Sequence, residues 1–149
     1  MSWFPILLAA HVTLAVALLL PSVVLPFVLR RASGPPSQAA RALMAIQGTG
    51  TLLIAGGLAI TGLAMLAILG QQLLTQPWLL VALVLYAINL AVAAFVSRPN
   101  LRRLIGIGAG RENDEAWRRR ARQQRYVAYG MAAAIGVIGF LMSTKPQLW

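Results

Sequence analysis

The chain has 149 residues, of which 59% are apolar and only 11% charged, and its mean hydropathy is +0.75. A soluble domain of this length needs more polar surface to cover a single core, so a bilayer is the natural solvent for the excess. The formal net charge of +10 does not mark a nucleic-acid partner, because twelve of the thirteen cations are arginines confined to two stretches beside apolar blocks, and the absence of cysteine removes disulfides, thiolate metal sites, iron–sulfur clusters and cysteine nucleophiles.

Crossing a hydrocarbon core of about 30 Å takes about 20 apolar residues at a helical rise of about 1.5 Å each. Four blocks meet that requirement, at about 4–29, 49–69, 78–96 and 126–142. The first is broken only by His11, Thr13, Pro21, Ser22 and Pro26, and the two prolines predict a kink in its second half. After it, Ser33, Gly34, Pro35 and Pro36 form a breaker cluster, and Ser37 can cap a new helix leading into the second block. The connection 71–77 is short, which predicts that the second and third spans are an antiparallel neighbouring pair. Tyr86 and Asn89 lie one turn apart in the third span. Asn89 is expected to hydrogen-bond to another helix for about 1 kcal/mol, with ligand contact as the other reading.

The segment 97–125 is the only candidate for a soluble element. Its Gly106, Gly108 and Gly110 read as a flexible hinge, since a phosphate-cradling loop would be followed by Lys-Ser or Lys-Thr and preceded by a strand. Asn113 as N-cap, with Asp114 and Glu115 in the first turn, predicts a helix that starts there and runs on through the fourth span. Its first three turns are expected to protrude.

Orientation follows from the cations. Arg30, Arg31 and Arg41 lie in the first connection, and Arg98, Arg102, Arg103, Arg111, Arg118, Arg119, Arg120, Arg122 and Arg125 lie in the third. The other side holds only Lys145, and this twelve-to-one split predicts both termini outside and both arginine-bearing connections in the cytoplasm. In the first block the charge follows a long apolar stretch instead of preceding a short one, so it reads as a retained helix and not a cleaved signal peptide. Trp3, Trp78, Tyr126 and Trp149 fall at span edges, where aromatic rings anchor at headgroup level. The arginines 118, 119, 120, 122 and 125 either set topology alone or contact anionic lipid or a partner, at about 1 kcal/mol each near a charged surface.

His11 is the one histidine, roughly 10 Å inside the first span by helical rise. Three readings stay open for it: an interhelical hydrogen bond, axial ligation of a haem or chlorophyll-type tetrapyrrole, and proton handling. No acidic residue lies in any span, so ion-coupled transport, paired-carboxylate hydrolysis and histidine–carboxylate triads have no residues to carry them. Small residues crowd the second span from Gly50 to Gly62, and in the fourth Ala128, Ala132 and Gly136 form a small-xxx-small ridge suited to close helix approach.

The early intramembrane His11, the basic connection after Leu29 and the stretch PWLLVALVLYAINLAVAAFVSRPNLRRL together resemble a bacterial family of small four-helix integral membrane proteins of uncharacterised activity. That family is similar in layout to the copper-resistance D membrane domain and to the bacterial membrane protoporphyrinogen oxidases. In the latter, the resemblance implies, a first-span histidine is associated with haem, and the only residue to which this carries over is His11. The third span lacks the basic residue that the oxidases place in a later span.

The expectation is therefore a single all-α domain over residues 1–149, an integral membrane four-helix bundle, left-handed or irregular, with both termini outside, in a bacterial inner membrane. The function expected by elimination is a non-catalytic accessory or assembly subunit of a larger membrane complex, in contact with lipid and other membrane subunits and not with nucleic acid. The alternative is a protein that binds haem or a chlorophyll-type pigment through His11.

Overall fold

In the computed structural model the described residues are 3–31, 37–109 and 114–145. They form six α-helices and no strand: α1 (Phe4–Arg31), α2 (Gln38–Ala45), α3 (Thr51–Leu69), α4 (Pro77–Val92), α5 (Arg98–Ala109) and α6 (Asp114–Thr144). Two of the joints are not breaks. A π-turn at Ile46–Gly50 fuses α2 to α3, and another at Ala93–Ser97 fuses α4 to α5. The result is four long helices apolar enough to cross a membrane, so the chain is an all-α integral membrane four-helix bundle.

Local chemistry accounts for the ends and joints. The Ser37 side chain accepts from Ala40 N–H at 3.2 Å and caps α2 as expected. Gly70 ends α3 at φ +95°, a left-handed value that a side chain would resist, and a 3₁₀ turn at Gln71–Thr75 leads into α4. The second π-turn comes two residues before Pro99, which has no N–H to continue an α-helical ladder. Arg98 N–H bonds instead to Ala93 O, five residues back, and the helix carries on past the proline. The first span also runs unbroken through Pro21 and Pro26.

Three sequence expectations are corrected by the packing. The helix of the third span does not stop at Val96: the π-turn carries it on as α5 to Ala109, so residues 97–109, with Gly106 and Gly108 of the expected hinge, are helical. The first turns of α6, expected to project, are not free of the other helices. They pack on α5 and α1, and Trp117 and Ala121 enter the main core. The second and third spans are not a closely packed pair along their length either: α3 lies chiefly against α1, α1 against α6, and α4 against α6. The reason lies in the small residues of α3. A Cβ at Gly57 would stand 3.3 Å from Leu14 Cδ1, and one at Gly62 would stand 3.3 Å from His11 Cε1, so these glycines let α1 close in.

The main apolar core sits at the arginine-rich end. Leu25 and Leu29 of α1, Met44 of α2, Leu101 and Leu104 of α5 and Trp117 of α6 are all buried there. A smaller cluster of Trp78, Ala82 and Leu141 closes the other end. Trp78 is thus a packed side chain, whereas Trp3 and Tyr126 are exposed. The helix cap expected at Asn113, and Trp149, lie outside the described residues.

Candidate functional site

The buried polar residues concentrate toward the arginine-rich half and come in two linked groups. In the first, Gln47 Nε2, carried inward by the π-turn, donates to Ser22 Oγ at 3.0 Å, and Ser22 in turn donates to Leu18 O at 3.3 Å. In the second, Asn100 Nδ2 donates to Gln124 Oε1 at 2.9 Å, and Gln124 Nε2 donates to Ser97 Oγ at 2.8 Å. Ser22, Gln47, Ser97 and Gln124 are all at most 1% exposed. A polar group sequestered so completely costs free energy unless paired, which is why each sits opposite a partner.

Three buried polar atoms lack a partner among the described residues: Gln47 Oε1, Arg98 Nε and Trp117 Nε1. All belong to the arginine-rich half. Close by, Leu29, Arg30, Trp117, Arg118, Arg122 and Arg125 line a cleft of about 280 Å³.

The expected site residues are distributed as follows. His11 is half-buried between α1 and α3, and its Nδ1 lies 2.9 Å from Thr61 Oγ1. Thr61 Oγ1 also lies 3.0 Å from the carbonyls of Gly57 and Leu58; when its hydroxyl proton goes to one of them, Nδ1–H is the donor to Oγ1 and the lone pair rests on Nε2. Asn89 is buried but makes no side-chain hydrogen bond among the described residues; it lines a gap of about 10 Å³ with Leu18, Thr51, Ala55 and Tyr86. The cross-helix bond at that level is made by Tyr86, whose hydroxyl donates to Ala55 O.

The ridge on α6 turns from inside to outside along its length. Ala128 is fully buried, Ala132 is half-buried and Gly136 is exposed. Of the arginines 118, 119, 120, 122 and 125, the cleft takes 118, 122 and 125. Arg119 is exposed elsewhere, and the Arg120 carbonyl accepts from Asn100 Nδ2 at 3.4 Å. Among the described residues no group of three or more His, Asp or Glu side chains could hold a metal ion.

Sequence reasoning missed Ser22, Gln47, Ser97, Asn100 and Gln124, although a signal for them existed. Trp117, Ala121, Gln124, Ala128 and Met131 recur at helical spacing and are all buried, so Gln124 occupies an apolar position in a stripe. Leu18, Ser22, Leu25 and Leu29 on α1 follow the same pattern, as do Ser97, Leu101 and Leu104.

These features define a class: a helical integral membrane protein with a packed, polar-laced core at its basic end and a single half-buried histidine toward the other. Within that class the chain belongs to the family described as "predicted integral membrane protein (DUF2269)", which it matches over residues 5–146. No curated protein and no solved structure matches it. Nothing in these comparisons supports the likeness to the copper-resistance D or protoporphyrinogen oxidase families.

Proposed function

We propose that the protein is a non-catalytic accessory or assembly subunit of a larger complex in a bacterial inner membrane, with both termini outside. The observation that carries this reading is the outward edge of α6. A Cβ at Gly136 or at Gly139 would meet nothing within 4 Å, and both residues are exposed. Lipid chains reward larger side chains there just as well, whereas exposed glycines gain contact only when another helix backbone comes close. With Ala132 they follow the spacing i, i+4 and i+7 of one helix face. The test is gentle-detergent extraction of tagged protein from its native membrane, followed by native electrophoresis. The wild type is expected to migrate in an assembly well above its own 16.0 kDa. Gly136→Leu/Gly139→Leu should run alone, with unchanged thermal stability because both new side chains enter open space. A wild type that migrates alone overturns the proposal.

A second reading has its own observation. The contact between His11 Nδ1 and the Thr61 hydroxyl supports it: with Nδ1 as donor, Nε2 is the basic nitrogen, the arrangement that a hydrogen-bonded imidazole presents to an iron or magnesium centre. An absorbance spectrum of protein purified from its own membrane decides it: a Soret band lost in His11→Ala supports ligation of a tetrapyrrole, and a featureless wild-type spectrum removes it.

A further inference from the structure

The end of α1 and the first turns of α6 enclose the cleft of about 280 Å³, with Leu29 and Trp117 supplying apolar wall and Arg30, Arg118, Arg122 and Arg125 supplying charge. On α6 the three arginines stand at i, i+4 and i+7, so they share a face. Like charges at that spacing repel one another. The whole chain has three acidic residues, fewer than the arginines of this one cleft. An anion entering the cleft removes that repulsion, and guanidinium groups match a phosphate with paired N–H donors. A second observation points the same way. Trp117 is only 8% exposed, and its indole N–H has no acceptor among the described residues. A buried donor left unpaired costs free energy, and a small shift of the ring toward the cleft would present it to a phosphate oxygen.

Position selects the kind of anion. Leu29 is the last residue of the first apolar block, and Tyr126, exposed beside Arg125, is the first of the fourth. The cleft therefore straddles the apolar boundary, the level at which headgroup phosphates lie. A soluble phosphate or an acidic peptide needs no such level. We propose that this cleft is a specific binding site for the phosphate of an anionic lipid headgroup, held by Arg30, Arg118, Arg122 and Arg125 with Trp117 at its wall. The site is independent of any docking on α6.

The full chain, purified in a neutral detergent, is titrated with phosphatidylglycerol while its thermal unfolding is followed, since a ligand that binds only the folded state raises the midpoint by an amount that grows with the logarithm of its affinity. Arg118→Gln/Arg122→Gln is compared with Arg102→Gln/Arg119→Gln, which removes the same charge from exposed positions outside the cleft. The cleft pair should weaken binding about tenfold or more, and the control pair less than about twofold. Trp117→Phe, which keeps the ring but not the N–H, should weaken it about threefold. Equal losses in both arginine pairs would reduce the site to diffuse surface attraction. Equal protection by phosphatidylcholine, or by inorganic phosphate at the same concentration, overturns the anionic-lipid assignment. Protection by polyglutamate in place of phosphatidylglycerol makes the cleft a protein-docking surface and ends the proposal.

Discussion

Asn100 of α5 and Gln124 of α6 face each other across a buried interface, the Asn100 amide donating to Gln124 Oε1 at 2.9 Å. Gln124 passes the relay on, donating from Nε2 to Ser97 Oγ at 2.8 Å, so one side chain satisfies two partners on the neighbouring helix. Truncating Gln124 leaves Ser97 Oγ without this donor and Asn100 Nδ2 with only the longer bond to Arg120 O at 3.4 Å. Gln124→Leu is expected to destabilise the bundle by about 1–3 kcal/mol, because Asn100 and Ser97 stay buried without it. In a double-mutant cycle Asn100→Ala and Gln124→Ala should be clearly non-additive, as expected of residues in one network. Additive losses in a detergent unfolding assay would mean that the two amides do not work as a pair.

At the other end of α1 the contact is steric as well as polar. His11 reaches Thr61 only because Gly62 leaves room for its ring, the nearest approach of a Cβ there being 3.3 Å. Gly62→Leu is therefore expected to push α1 off α3 at a cost of about 1–3 kcal/mol. Gly56→Leu, six residues earlier and facing open space, should be nearly neutral. Similar midpoints for the two variants would show that α1 and α3 do not depend on that close approach.

Much of this architecture is legible in the chain, and its limits have physical causes. Long apolar blocks declare their own helices, and Ser37 and Gly70 act at their boundaries as residue type dictates. What escaped the reading was continuity. The third apolar block stops at Val96, yet a π-turn carries the helix on past Pro99, and the gain of one residue in that turn leaves no trace in hydropathy. Partner choice escaped as well, since a short 3₁₀ connection brings α3 and α4 near each other at one end while glycines on α3 decide that it packs on α1. His11 stands out because it is unique, whereas Gln124 hides in a stripe whose other members are apolar. The arginines suggested a charged projection; only the fold separates Arg118, Arg122 and Arg125, which share a cleft with Arg30, from Arg119, which does not.

Orientation rests on the split of cations and is open to direct test. The chain contains no cysteine, so single cysteines report without background. Gln72, in the turn between α3 and α4, and Arg103, on α5, are both exposed. Gln72→Cys should label from the outside of intact cells with a membrane-impermeant maleimide, and Arg103→Cys only after permeabilisation. Labelling of both from one side would remove the proposed topology.

Within lipid, apolar side chains gain nothing by leaving water, so helix association there depends on packing and interhelical hydrogen bonds. Leu104 lies two turns beyond the third apolar block, is fully buried and belongs to one core with Leu25, Met44 and Trp117; with the span boundary at Val96, the expulsion of apolar surface from water adds to its packing. Leu104→Ala should therefore cost about 2–5 kcal/mol, the range for a leucine truncated in a core that relaxes only partly. Leu83 in the middle of α4 is 43% exposed on the face turned away from the other helices. Leu83→Ala leaves no cavity and should cost well under about 1 kcal/mol. Reversible unfolding of both variants in mixed detergent measures the difference directly. If Leu83→Ala proves the more damaging, the arginine-rich core is not what holds the four helices together, and the exposed face of α4 is packed against something that the isolated chain does not contain.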